Sequence, residues 1–211
     1  MIKKLLIFSA ITPMTLFAQS AHPEQLAKQA AAQMVQPVAL TTNAILDCDV
    51  AQLPYSENFN SVTVPNIPTC SVIENAGAGN DFTTASSPGY GFNSNVLRYQ
   101  WNVDNPANAW WFTPGFQMTA GQTYVLSYKY GSAGSSLYTE KLKVHVGTAQ
   151  ESVAMFPEPL IDHPLVNNNV TPITDNLNFT PEEDGIYFFG FNCYSNPDQF
   201  YLFIEDRKSV V

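Results

Sequence analysis

Reactive side chains are scarce in this chain. Its 211 residues include only three His and three Cys. No H-E-x-x-H, C-x-x-C, phosphate-binding Gly loop or G-x-S-x-G elbow is built from what there is. The common zinc, redox, nucleotide and serine-hydrolase sites therefore lack their motifs, and the reading is non-enzymatic. Charge is scarce too. Asp, Glu, Lys and Arg make up 13% of the chain, against ~25% in ordinary soluble domains. Nine Lys and Arg face eighteen Asp and Glu, for a net charge of −9. That excludes a nucleic-acid partner, which needs an excess of cations to neutralise phosphates, and speaks against an anionic membrane surface. Beyond the N-terminus no apolar run is long enough to cross a bilayer, so no membrane insertion is expected.

Aromatic side chains are plentiful: fourteen Phe, ten Tyr and three Trp within a 45% apolar composition. Polarity comes mainly from Asn, Thr, Ser and Gln, as is common in exported β-proteins. Many rings with few reactive neighbours describe a rigid binding or adhesion module.

The N-terminus reads as an export signal, residues 1–20. Lys3 and Lys4 precede an apolar stretch from Leu5 to Phe17, with small residues at Ala18 and Ser20 for cleavage. Residues 21–52 form an Ala- and Gln-rich leader, in which Glu24–Met34 suits a short helix stopped by Pro37. Export permits a disulfide, and three Cys cannot all pair within one chain. Cys48 and Cys70 flank the first expected strand and are the expected pair, worth ~3 kcal/mol in the chain-entropy picture. Cys193 alternates with Phe189 and Phe191 and reads as a small buried hydrophobe.

From Leu53 onward the chain reads as short strands separated by Gly, Pro, Asn and Ser. Expected strands cover 96–102, 110–113, 123–130, 140–146, 170–179, 185–193 and 199–205. Within 140–146, Leu142, Val144 and Val146 point inward, while Lys141, Lys143 and His145 point to water. The strand at 96–102 puts Leu97, Tyr99 and Trp101 on one side. No helix is expected after Pro54. Eight to ten strands of this kind pack as an all-β, antiparallel, two-sheet jelly-roll β-sandwich.

Five segments in order carry a resemblance: Leu53-Pro-Tyr-Ser-Glu-Asn-Phe-Asn60, Pro88-Gly-Tyr-Gly-Phe92 with Val96-Leu-Arg-Tyr99, Lys141-Leu-Lys-Val-His-Val-Gly147, Gly185-Ile-Tyr-Phe-Phe-Gly-Phe-Asn192, and Phe200-Tyr-Leu-Phe-Ile-Glu-Asp206. Residues 53–206 resemble the cleaved-adhesin and choice-of-anchor J modules of secreted Bacteroidetes-type proteins, relatives of MAM-like and galactose-binding-like jelly rolls. The resemblance implies a non-catalytic module in a larger exported protein, often one that ends in a type IX sorting domain. It also implies a structural Ca²⁺ where the first and last strands meet. The matching positions are Glu57, Asn60, Glu205 and Asp206, whose oxygens suit that hard cation; an unmetallated strand end is the alternative. Residues 207–211 read as a non-native tail, because Asp206-Arg-Lys-Ser-Val-Val211 is what the start of a widely used sequencing adapter would encode.

Four aromatics are the ligand-face candidates. Trp110 and Trp111 are strand neighbours and must point to opposite faces, so at most one is core. The other either stacks a pyranose or lies under a loop. Tyr201 and Phe203 sit opposite Leu202 and Ile204 and pose the same choice. His163 is expected in a loop beside Asp162 and Pro164. The sequons at Asn169 and Asn178 are expected to go unread in a bacterium. The expected function is adhesion or carbohydrate binding, secreted or at the cell surface, with a glycan or a host or surface protein as partner. The alternative is a structural spacer or protein-interaction domain attached to a neighbouring domain, of hydrolytic or other activity.

Overall fold

Alternation decides most of the strands. In 142–146 and 124–130 every second residue is apolar, and those residues are buried while their neighbours are at least partly exposed up to Lys143 and Lys129. In Gly185–Cys193 the apolar run is nearly continuous, and the strand lies in the middle of its sheet with both faces covered from Phe189 onward. The computed structural model describes residues 48, 50–133, 137–168 and 171–208, with side chains as far as Glu205. The export signal, the helix expected over Glu24–Met34, the Asn169 sequon and residues 209–211 lie outside the described residues.

The strands are β1 (Val72–Asn75), β2 (Phe82–Ala85), β3 (Val96–Gln100), β4 (Ala109–Phe112), β5 (Phe116–Met118), β6 (Tyr124–Ser132), β7 (Glu140–Gly147), β8 (Ile161–Val166), β9 (Ile173–Phe179), β10 (Gly185–Cys193) and β11 (Tyr201–Lys208). One sheet has the order β1-β4-β10-β7-β8, with β5 also paired to β10; the other has the order β2-β3-β11-β6-β9. All these strand pairs are antiparallel. Among the described residues the only helical element is the single 3-10 turn Ser152–Ala154. This is the two-sheet jelly roll expected from the pattern.

Between the sheets lies one core. It includes Phe59, Leu97, Tyr99, Trp111, Tyr128, Leu142, Val144, Phe189, Phe191, Leu202 and Ile204. Rings meet across it edge to face, as Tyr128 does with Phe191 at 5.2 Å between centroids. Cys193 is fully buried here, and burial pushes its thiol up to about 12. Four short strands, β1, β2, β5 and β8, are absent from the sequence expectation. They are three to six residues long, and no periodicity shows in so few positions.

Cys48 and Cys70 are joined by a disulfide. The segment it encloses holds no strand, contrary to expectation: Ala51 makes one isolated parallel bridge to Phe116, donating its N–H to Gly115 O at 2.7 Å. His163 lies in β8, not in a loop. β11 continues through Arg207 and Lys208, with Lys208 opposite Ser127.

After β7 the chain doubles back as a strap across the outer face of its own sheet. Phe156 N–H donates to Val146 O, and Leu160 N–H to Val144 O, both at 2.8 Å. Two glycines make room for it. A Cβ on Gly147 would sit 2.4 Å from Ala154 O, and one on Gly190 would sit 2.8 Å from Met155 Sδ.

Candidate functional site: an aromatic ribbon on the five-stranded sheet

β11 sends Leu202 and Ile204 into the core, so Tyr201 and Phe203 face outward. Just before it, a Pro197-Asp198 turn brings Phe200 beside Trp101, where β3 has ended at Gln100. Trp101 and Phe200 stack at 4.8 Å, and Tyr138 stacks on Phe200 at 5.5 Å. Tyr201 meets Trp101 and Phe200 edge-on at 5.1 and 4.5 Å. The row continues from Tyr201 to Phe203 at 5.8 Å, and from Phe203 to Tyr90 at 6.0 Å. Trp101, Tyr138, Phe200 and Tyr201 are all half-buried, so each keeps part of its ring at the surface.

Polar groups surround the rings. The Arg98 guanidinium lies 5.5 Å from the centre of the Tyr201 ring, with one long hydrogen bond, from Nη2 to Thr83 Oγ1 at 3.4 Å. Gln100 is exposed beside it. The backbone under the ribbon is braced. Trp101 N–H donates to Phe200 O at 2.9 Å, Asp198 N–H to Asn102 O at 2.9 Å, and Asn80 Nδ2 to Trp101 O at 2.9 Å. Glu140, wholly buried behind β11, accepts the Phe200 N–H at 2.7 Å, and burial raises its carboxyl above the usual range. A platform held this way loses little freedom when a ligand arrives.

Of the four aromatics singled out by sequence, only Tyr201 belongs to this surface. Trp110 and Trp111 do point apart, but neither is open. Trp111 is 1% exposed, in the core against Phe59 and Phe191. Trp110 is 8% exposed on the outer face. It stacks on Phe112 at 5.6 Å, lies under Met155 of the strap, and donates its indole N–H to Asn108 Oδ1 at 3.0 Å. Phe203 is 1% exposed because Phe92, on the loop before β3, covers it at 5.5 Å. The strap also covers His145, expected at the surface: its Nδ1 lies 3.0 Å from Phe156 O. Trp101, expected on the same side of its strand as Leu97 and Tyr99, is turned outward because β3 stops one residue before it.

The positions matched to calcium are dispersed in role. Glu57 accepts the N–H of Phe59 at 2.6 Å and is itself buried, which raises its carboxyl. Asn60 Oδ1 accepts the Asn95 N–H at 3.0 Å. The neighbouring Ser94 hydroxyl donates to Glu205, so Asn60 and Glu205 share one corner. There the Lys129 ammonium stands 3.3 Å from Glu205 Oε2. The Asp206 side chain lies outside those described. Among the described residues no group of three or more His, Cys, Asp or Glu converges as a metal site. The corner already holds a cation in Lys129, which pairs with Glu205.

No protein-family model matches the chain, and no curated protein matches it. Solved structures do. The K1 cleaved adhesin domain of Lys-gingipain from Porphyromonas gingivalis W83 superposes with a TM-score of 0.57 at 17% identity, covering 72% of this chain and 94% of that one. The K2 cleaved adhesin domain of Lys-gingipain superposes at 0.57 and 16% identity, covering 74% and 98%. The K3 domain of the P. gingivalis protein gives 0.55 and 16%, covering 72% and 94%. At such identities the likeness is one of fold: the chain has a two-sheet jelly roll like that of these cleaved adhesin domains.

Proposed function

We propose that this domain is a non-catalytic, exported binding module that holds a glycan on the ribbon Trp101, Tyr138, Phe200 and Tyr201. The observation that carries this reading is the cluster of four partly exposed aromatic residues beside Arg98 and Gln100. Pyranoses present C–H groups that lie on ring faces, while guanidinium and amide groups meet their hydroxyls. Two of the solved structures of similar fold are adhesin domains of a protein from P. gingivalis W83, which agrees with a surface or secreted role.

A glycan array probed with the full chain tests the reading. Binding to one sugar class is expected, with Trp101→Ala and Tyr201→Ala each weakening it about thirty-fold, equivalent to about 2 kcal/mol. The melting temperature should move little. Unchanged binding in both variants, or no sugar bound at all, would sink the platform. The covered state of Trp110, Trp111 and Phe203 would then favour a structural spacer or protein-interaction domain.

A further inference from the structure

The ribbon lies where β6 ends. A separate cleft of about 540 Å³ opens at the end where β6 begins. Its size is that of a small-ligand site. Thr148, Phe156, Phe179, Thr180, Glu182, Glu183 and Tyr187 line it. Three of these are rings at steep angles to one another: Phe156 meets Tyr187 at 6.4 Å and 71°, and Phe179 meets Tyr187 at 5.3 Å and 62°. They form walls, not a flat platform. Phe156, on the strap, is 39% exposed.

The polar side of the cleft accepts more than it donates. The Tyr187 hydroxyl is used on Glu183 O at 2.9 Å. Thr180 Oγ1 and Thr123 Oγ1 bond each other at 2.8 Å. Asp184, next in the turn, is used on the Ala120 N–H at 2.8 Å. Glu182 and Glu183 are exposed and make no ion pair among the described residues. No Lys, Arg or His lines the cleft. Carboxylates accept and do not donate; sugar hydroxyls can donate to them, but a neutral sugar brings no charge to balance the two. A cation on an apolar stem answers both halves: rings attract the charge and cover the stem, and the carboxylates neutralise it. The whole chain, at −9, draws cations toward it.

We propose that this cleft takes the side chain of a lysine presented by a partner protein. The four-carbon stem lies against Phe156, Phe179 and Tyr187, and the ammonium meets Glu182 and Glu183. This gives the module a second contact, distinct in chemistry and place from the ribbon.

The probe is Nα-acetyl-lysine methylamide, titrated into the full chain and followed by the NMR shifts of the Phe156, Phe179 and Tyr187 rings. Millimolar saturation is expected, weakening as salt rises. The paired change Glu182→Gln and Glu183→Gln, both at exposed positions, should cost roughly tenfold in affinity with an unaltered melting curve. Trp101→Ala should leave the titration as it was, which separates this site from the ribbon. The proposal is overturned if the Nε-acetylated, uncharged probe shifts the same rings equally, or if no ring responds. It is also overturned if free 1,5-diaminopentane binds more tightly than the lysine probe, which would assign the cleft to small amines.

Discussion

At the scale of single residues, environment decides what a side chain contributes. Trp110 and Trp111 are adjacent and chemically identical, yet one fills the core and the other is sealed beneath Met155. Glu205 and Lys129 are a second case. The carboxylate is buried, and its charge is tolerated because an ammonium and the Ser94 hydroxyl meet it. Removing the cation should therefore be expensive: Lys129→Ala is expected to cost about 3 kcal/mol in denaturant unfolding. Millimolar Ca²⁺ is expected to leave the melting temperature of the unaltered chain where it was, because Lys129 already fills the corner. A rise that chelator reverses would restore the calcium site implied by the resemblance.

At the scale of elements, the β-strands need one another, and the connecting segments decide what reaches solvent. The strap that follows β7 and the loop before β3 each close part of an outer sheet face. The segment 48–70 has no ladder of its own; besides the Cys48–Cys70 bond and the single bridge at Ala51, it is held by Phe59 in the core and by side-chain bonds such as Thr84 Oγ1 to Asn66 O at 2.7 Å. The bond spans 22 residues, so replacing both Cys by Ser should lower stability by about 3 kcal/mol in the chain-entropy picture. The measurement is urea unfolding of the variant against the oxidised chain. An equal midpoint would show that the crosslink adds nothing to the stability of the folded chain.

At the scale of the whole molecule, the two sheets are tied along one open side by a polar seam. His163 of β8 reaches from the edge of one sheet to the other. Its Nε2 lies 2.7 Å from the Tyr128 hydroxyl and 3.1 Å from Asp175 Oδ2, and its Nδ1 lies 3.2 Å from the Tyr130 hydroxyl. The imidazole also stacks on Tyr130 at 4.2 Å. Burial lowers its pKa, against the pull of Asp175 and of Asp162 on its own strand. The unfolded chain then binds the proton more readily than the folded one. The stability this group contributes is complete above about 6.5 and is lost as pH falls through the lower folded value. His145 shifts in the same direction. Glu57 and Glu140, with raised carboxyls, shift in the direction that favours the folded state in acid. The quantity to read is therefore the difference between the unaltered chain and His163→Gln. Between pH 7 and 5 the unaltered chain should lose more stability than the variant. Parallel curves would remove His163 from the pH response.

The jelly roll was legible from sequence because its cause is local. Period-two alternation in 124–130 and 140–146 and the apolar run of 185–193 specify strands and the faces they bury, whatever the partner strand is. Alternation likewise placed Trp110 and Trp111 on opposite faces and put Tyr201 outside. Whether an outward ring meets water was not local. Trp110 and Phe203 are covered by segments far along the chain or across a sheet, and Gly147 and Gly190 admit one of those segments without advertising it. Trp101, Phe200 and Tyr138 sit beyond strand ends, where periodicity stops carrying information, and a turn around Asp198 brings two of them together. Inward and outward were thus determined by the sequence through backbone geometry; covered and open were decided only by the tertiary structure, because burial depends on which distant segment comes to rest on each face.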